Sequence, residues 1–232
     1  MDDLARDLLD RELSFGRQPL ALTQDKVRTL DAALDALGRL AYEMQIGGEG
    51  TGLKRSLAEA VRLVAGAPFS VPQVLKLATS ATVLELAEGG DDEDDSVYVF
   101  YHHLLQEYFA ARDLIRRFKA GEDLEPRWRV AWEAESAPPY NPAQGEALPP
   151  AETTGWEETV ILAAALCAQE APRLAPRLIG AIRDGNLPLA GRCLAAAGAQ
   201  RETLAPLVSP LRVALLGRQR DPGAGLRALC YT

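Results

Sequence analysis

The chain's two histidines, His102 and His103, stand side by side in "VFYHHLLQEYFAARDL", Val99 to Leu114. An imidazole can serve as a general base, a metal ligand or a hydrogen-bond donor to an anion. Neighbouring residues on a helix point about 100° apart, so these two cannot easily share one metal. No G-x-S-x-G elbow and no H-E-x-x-H occurs anywhere in the chain. Cys167, Cys193 and Cys230 are scattered without metal-ligand spacing. The acidic run Asp91 to Asp95 lacks the glycine and the spaced oxygen ligands of a calcium loop, and it reads as a solvated turn. His102 falls where an extended aromatic run gives way to a helical pattern, and a helix start offers unpaired N–H groups to an anion.

A second stretch invites a phosphate reading. "GGEGTGLKRS", Gly47 to Ser56, is glycine-rich and carries a lysine. A phosphate loop needs the lysine directly after the last glycine, so that it reaches the β- and γ-phosphates. Here Leu53 separates Gly52 from Lys54, and the stretch follows a helical pattern instead of a strand. It reads as a turn, and the chain is not expected to hydrolyse nucleotide or to be an enzyme.

The elements that must position His102 are legible on both sides of it. Leu4, Leu8, Leu9 and Leu13 make a first short helix over 3–13. Thr23 suits the N-cap of the next helix, in which Val27, Leu30, Leu34, Leu37, Leu40, Ala41 and Met44 form one wide apolar stripe. Ser56 and Glu59 have capping-box spacing ahead of Leu57, Ala60, Val61 and Val64. Ser70 then caps "VPQVLKLA". The period changes at "TVLELAE" and "SVYVFY", two extended segments around the polar "GGDDEDD", which predicts a β-hairpin. A helix follows from His102 to about Phe118.

Six prolines between Gly121 and Thr154 mark a linker partly anchored by Trp128 and Trp132. Alanine- and leucine-rich helices follow over about 156–169, 172–183, 187–197 and 203–216. They predict either a stacked, HEAT-like array or an all-helical bundle without repeats. The expected fold class is therefore mainly α, with a two-stranded hairpin. The net charge is −8, which makes nucleic acid and anionic membranes poor partners. The run "TVILAAALCA" is too short to span a bilayer. Three unspaced cysteines fit reduced thiols in a cytoplasm.

Helices, a hairpin and a further helix follow the order of a winged helix. Many winged helices bind DNA. This one is expected not to, because no lysine or arginine occurs from Leu77 through Ala111, and phosphate contacts need cations. "FYHHLLQEYFAA" resembles the motif F-x-H-x-x-x-Q-E-[YF]-[FL]-A-A of NACHT-type STAND NTPases, a group that includes NOD-like receptors and bacterial signalling and defence proteins. Phe100, His102, Gln106, Glu107, Tyr108, Phe109, Ala110 and Ala111 match in register. "LDALGRLAYEM" looks like the first helix of that family's winged-helix domain. "GWEETVILAAAL", led by Trp156, looks like the helix that often follows in bacterial members. The resemblance covers about 2–166.

The resemblance implies four regions: 1–22, the tail of a preceding helical domain; 23–120, a winged helix; 121–154, the proline-rich linker; and 155–232, a helical region. The family's nucleotide-binding core, with Walker A and Walker B, has no counterpart in these residues, so the chain is expected to be a fragment of a longer cytoplasmic protein. In the family, the histidine matching His102 reaches the β-phosphate of bound ADP and holds the closed, inactive state. The chain itself is expected to hold no cofactor; ADP or ATP with magnesium belongs to the parent protein. The implied partners are the preceding NTPase domain, and other proteins or further copies on activation. His103 is expected to be a partly exposed surface residue. Phe100, Leu104, Leu105, Tyr108 and Phe109 are expected to be core, and Gln106 and Glu107 to tie the helix to its surroundings.

Overall fold

The computed structural model describes residues 2–15, 26–46, 55–56, 71–88, 97–130, 153–198, 202 and 204–209. These are mainly helical, with one small antiparallel sheet. The chain divides into two compact units, Met1–Leu114 and Ile115–Thr232.

In the first unit, α1 (Asp2–Phe15) and α2 (Lys26–Ile46) precede β1 (Arg55–Ser56). The predicted stripe of α2 is its buried face: Leu34, Leu37, Leu40, Ala41 and Met44 are buried, joined by Ala33, Ala36 and Tyr42. The stripe of α1 differs from expectation. Leu4 is exposed, and Ala5 and Leu9, four residues apart, are the residues that turn inward. Then come α3 (Val71–Ser80), β2 (Leu84–Glu88), β3 (Val97–Phe100) and α4 (His103–Ala120). The predicted hairpin is present. Leu84 pairs with Phe100, Glu85 with Val99 and Leu86 with Tyr98, and a bulge follows between Leu86 and Glu88. The hairpin tip, with Asp91 to Asp95, lies outside the described residues.

The sheet has a third strand. β1 pairs antiparallel with β3, Arg55 opposite Tyr98 and Ser56 opposite Val97, giving the order β1-β3-β2. Ser56 therefore belongs to a strand, where capping-box spacing had suggested a helix cap. The helix expected after it, the caps at Thr23 and Ser70, and the glycine-rich Gly47 to Lys54 lie outside the described residues.

The turn from α3 into β2 carries a backbone irregularity. Val83 N–H donates to Ala78 O at 2.8 Å and Thr82 N–H to Thr79 O at 3.1 Å. This is a Schellman close, which normally places glycine at the left-handed position. Here the position is held by Thr82 at φ 60°.

The second unit begins with the end of α4, from Ile115. A 3-10 turn follows at Glu125–Arg127, and then buried Trp128. Trp132 and most of the prolines of the predicted linker lie outside the described residues. Next come α5 (Glu157–Glu170), α6 (Ala175–Gly185) and α7 (Leu187–Ala197), close to the helices read from the sequence. Of the last expected helix, 205–209 are helical and the rest lies outside the described residues. α5 and α7 pack on each other, and many of the residues they bury are small: Ala163, Ala164, Cys167 and Ala168 on one, Ala190, Gly191, Cys193 and Ala197 on the other.

α6 closes against Trp128. A Cβ placed on Gly185 would stand 3.1 Å from Trp128 Cδ1, and Val130 N–H donates to Gly185 O at 3.3 Å. Asn186 ends α6 and caps α7: its N–H donates to Ile182 O, and its side-chain oxygen accepts from Leu189 N–H at 3.1 Å. No helix among the described residues is long and apolar enough to cross a membrane.

Candidate functional site

The site is the start of α4, where β3 delivers the chain into the helix. Phe100, last in β3, is buried and lies 5.8 Å from Phe109 between ring centroids. Tyr108 meets Phe109 edge-on at 5.1 Å. These three rings fix the junction. Leu105, Tyr108 and Phe109 are buried as expected, and Arg112 Nη1 donates to the Tyr108 hydroxyl at 3.3 Å. Ala110 and Ala111 are fully buried. Their small side chains suit a close approach from α2, where a Cβ on Gly38 would stand 3.2 Å from Phe109 O. Gln106 and Glu107 are buried as well.

Leu104 departs from the expected core, being 50% exposed. It sits one residue before Leu105, and a step of about 100° carries it off the buried face. Tyr101, at 60% exposure, lies on the same open side of the turn.

His102 stands one residue before α4 and is exposed. Its carbonyl accepts from Leu105 N–H at 2.9 Å, and its Nδ1 accepts from Leu104 N–H at 3.1 Å. It therefore caps the helix with its own ring. An accepting Nδ1 assigns the ring proton of the neutral imidazole to Nε2. A proton on Nδ1 would remove the acceptor from Leu104 N–H.

His103 is in the first turn, 45% exposed, with Nε2 3.1 Å from Glu107 Oε1. It is the partly exposed residue expected, and it gives Glu107 a partner four residues back. The adjacent histidines thus have separate partners. Among the described residues no group of three or more His, Cys, Asp or Glu is placed to hold a metal ion.

Trp156 belongs to the second unit and serves its local architecture. It is buried before the first turn of α5, with the Arg127 guanidinium 5.2 Å from its ring centroid. Thr154 Oγ1 ties this corner to Arg127 O at 2.8 Å, and Glu157 accepts from Thr154 N–H. Cys167 and Cys193 are buried thiols. Desolvation pushes Cys167 up to about 11 and raises Cys193 further. Cys230 lies outside the described residues.

Sequence reasoning missed the Nδ1 cap, the His103–Glu107 pair, β1 and the close approach at Gly38. The i, i+4 spacing of His103 and Glu107 was the available signal for the pair. Histidine is not among the usual N-cap residues, so nothing marked the cap. In comparisons with known proteins, no family model, no curated protein and no solved structure matches this chain.

Proposed function

We propose that the chain is the winged-helix and helical part of a NACHT-type signalling NTPase. In this reading its winged helix holds the ADP-bound closed state, and its helical region senses a protein or ligand. One observation carries the reading: the motif from Phe100 to Ala111 spans the junction of β3 with α4, and it leaves the matching histidine exposed at the helix start. The order α2, β1, α3, β2, β3, with sheet order β1-β3-β2, supports a winged helix.

His102 suits a phosphate contact. With Nδ1 engaged by Leu104 N–H, Nε2–H is the ring's donor, and its exposure brings it within reach of a ligand held by another domain. The nucleotide, with magnesium, is held in the parent by the preceding domain; this chain supplies one donor and performs no hydrolysis. The acid-rich stretch from Leu77 to Ala111 argues against a duplex-binding role. A cytoplasmic signalling protein, in the class of bacterial defence receptors, fits these features. The partners are then the preceding NTPase domain and a protein or further copies on activation.

A stand-alone helical interaction module is the second reading. It is favoured by the burial of the motif: Phe100, Gln106, Glu107, Tyr108, Phe109, Ala110 and Ala111 are all core.

The ADP off-rate of a full-length parent separates the two. A charge-assisted hydrogen bond is worth about 1.5–3 kcal/mol, so His102→Ala is expected to speed ADP release roughly ten- to a hundredfold. Alanine also removes the cap, so His102→Asn, which can still cap but has a shorter reach, serves as the control. Faster release in both variants supports the nucleotide contact. An unchanged off-rate, with a fragment destabilised by alanine and not by asparagine, leaves His102 as a cap alone.

A further inference from the structure

We propose that the first turn of α4 is a proton-operated switch in which His102 and His103 respond in opposite directions. His102 caps the helix through an unprotonated nitrogen, Nδ1, 3.1 Å from Leu104 N. A proton added there turns the acceptor into a donor, and Leu104 N–H loses its partner. The ring becomes a cation at the positive end of the helix dipole, which repels it. His103 behaves inversely. Its Nε2 already lies 3.1 Å from Glu107 Oε1, and the Glu107 side chain is only 7% exposed. A proton on His103 converts that hydrogen bond into an ion pair with a largely buried carboxylate, a stronger interaction than the neutral one.

Acidification therefore exchanges one tie for another within a single turn. The backbone cap at 102–104 opens while the side-chain clamp at 103–107 tightens. Tyr101 and Leu104, both exposed, flank the bond that opens, so the apolar surface presented at this turn changes with it.

Charged and titratable groups also stand on the surrounding elements. β2 contributes Glu85, opposite Val99, and β3 contributes the phenol of Tyr98. α3 carries Lys76. α2 meets α4 further along, where Gly38 lies level with Phe109 and Asp113, and α2 also carries Arg39 and Glu43. Within α4, Glu107 is the carboxylate one turn from the histidines. The switch needs no nucleotide, so its test stands apart from that of the proposed function.

The test is a pH titration of the whole 232-residue chain, labelled with nitrogen-15, from pH 8 to pH 5. At pH 8 the ring nitrogens of His102 are expected to show the Nε2–H tautomer. On acidification the Leu104 amide resonance is expected to shift in step with the His102 ring. In His102→Asn that shift is lost, and in His103→Gln it persists. Cross-relaxation between the His103 ring and the side chain at 107 strengthens with acid in the wild type, and does so less in Glu107→Gln. An Nδ1–H tautomer at pH 8, a Leu104 amide that stays still while His102 titrates, or an equal shift in His102→Asn each overturns the proposal.

Discussion

The two units are packed with different side chains. In the first, Tyr42, Tyr108, Phe109, Met44 and a set of leucines are fully buried. In the second, α5 and α7 bury a run of small groups, Ala163, Ala164, Cys167, Ala168, Ala190 and Cys193, while α6 supplies large ones in Leu178, Ile179 and Ile182. A site filled by a large group loses most when that group is truncated. A seam of small residues lets helix backbones come close and has little room for growth. The first unit should therefore be sensitive to subtraction and the α5–α7 seam to addition.

The largest expected effect lies in the first unit. Phe109 touches both Phe100 and Tyr108, so Phe109→Ala removes a shared ring from the junction of β3 with α4. The loss is expected to be about 3–5 kcal/mol in denaturant unfolding. A loss below about 1 kcal/mol would mean that the junction collapses around the gap, and the contrast between the units would fail.

In the second unit Ala164→Leu inserts a branched side chain into a fully buried position on α5. Overpacking is expected to cost about 1–3 kcal/mol, read as a lowered melting temperature. A neutral outcome would show slack in this core that its alanines do not suggest.

The smallest effect has the opposite sign. Thr82 is exposed and holds a left-handed conformation that suits glycine. Thr82→Gly is expected to raise stability by about 1 kcal/mol through relief of backbone strain. A destabilised variant would show that the threonine side chain earns its place in the turn from α3 into the sheet.

Where the sequence was readable, periodicity made it so. The stripe of α2 matches its buried face, and the β-branched, aromatic run of β3 forms a strand paired on both sides. Short elements held by distant partners were not readable. "RS" has no strand preference of its own, and Arg55 and Ser56 are strand because β3 pairs with them. In α1 the spacing of four leucines suggested the buried face, yet Ala5 took the position next to Leu9 that Leu4 had been expected to fill. Alanine is a weak hydrophobic signal, and only tertiary contact reveals its use. The candidate site followed the same division. The motif located His102 and the helix start, but the ring's bond to Leu104 depends on how the strand delivers the chain, which spacing does not encode.

Asn186 makes α6 and α7 share a single residue, closing one helix with its backbone and opening the next with its side chain. A joint of one residue has almost no compliance. The two helices must turn as one lever, because opening the angle between them breaks the bond to Ile182 O or the bond from Leu189 N–H. The segment from Ala171 to Leu174, between α5 and α6, is longer and is tied by a bond from Leu174 N–H to Ala171 O. Bending among these helices should concentrate there, while α6 and α7 keep a fixed angle.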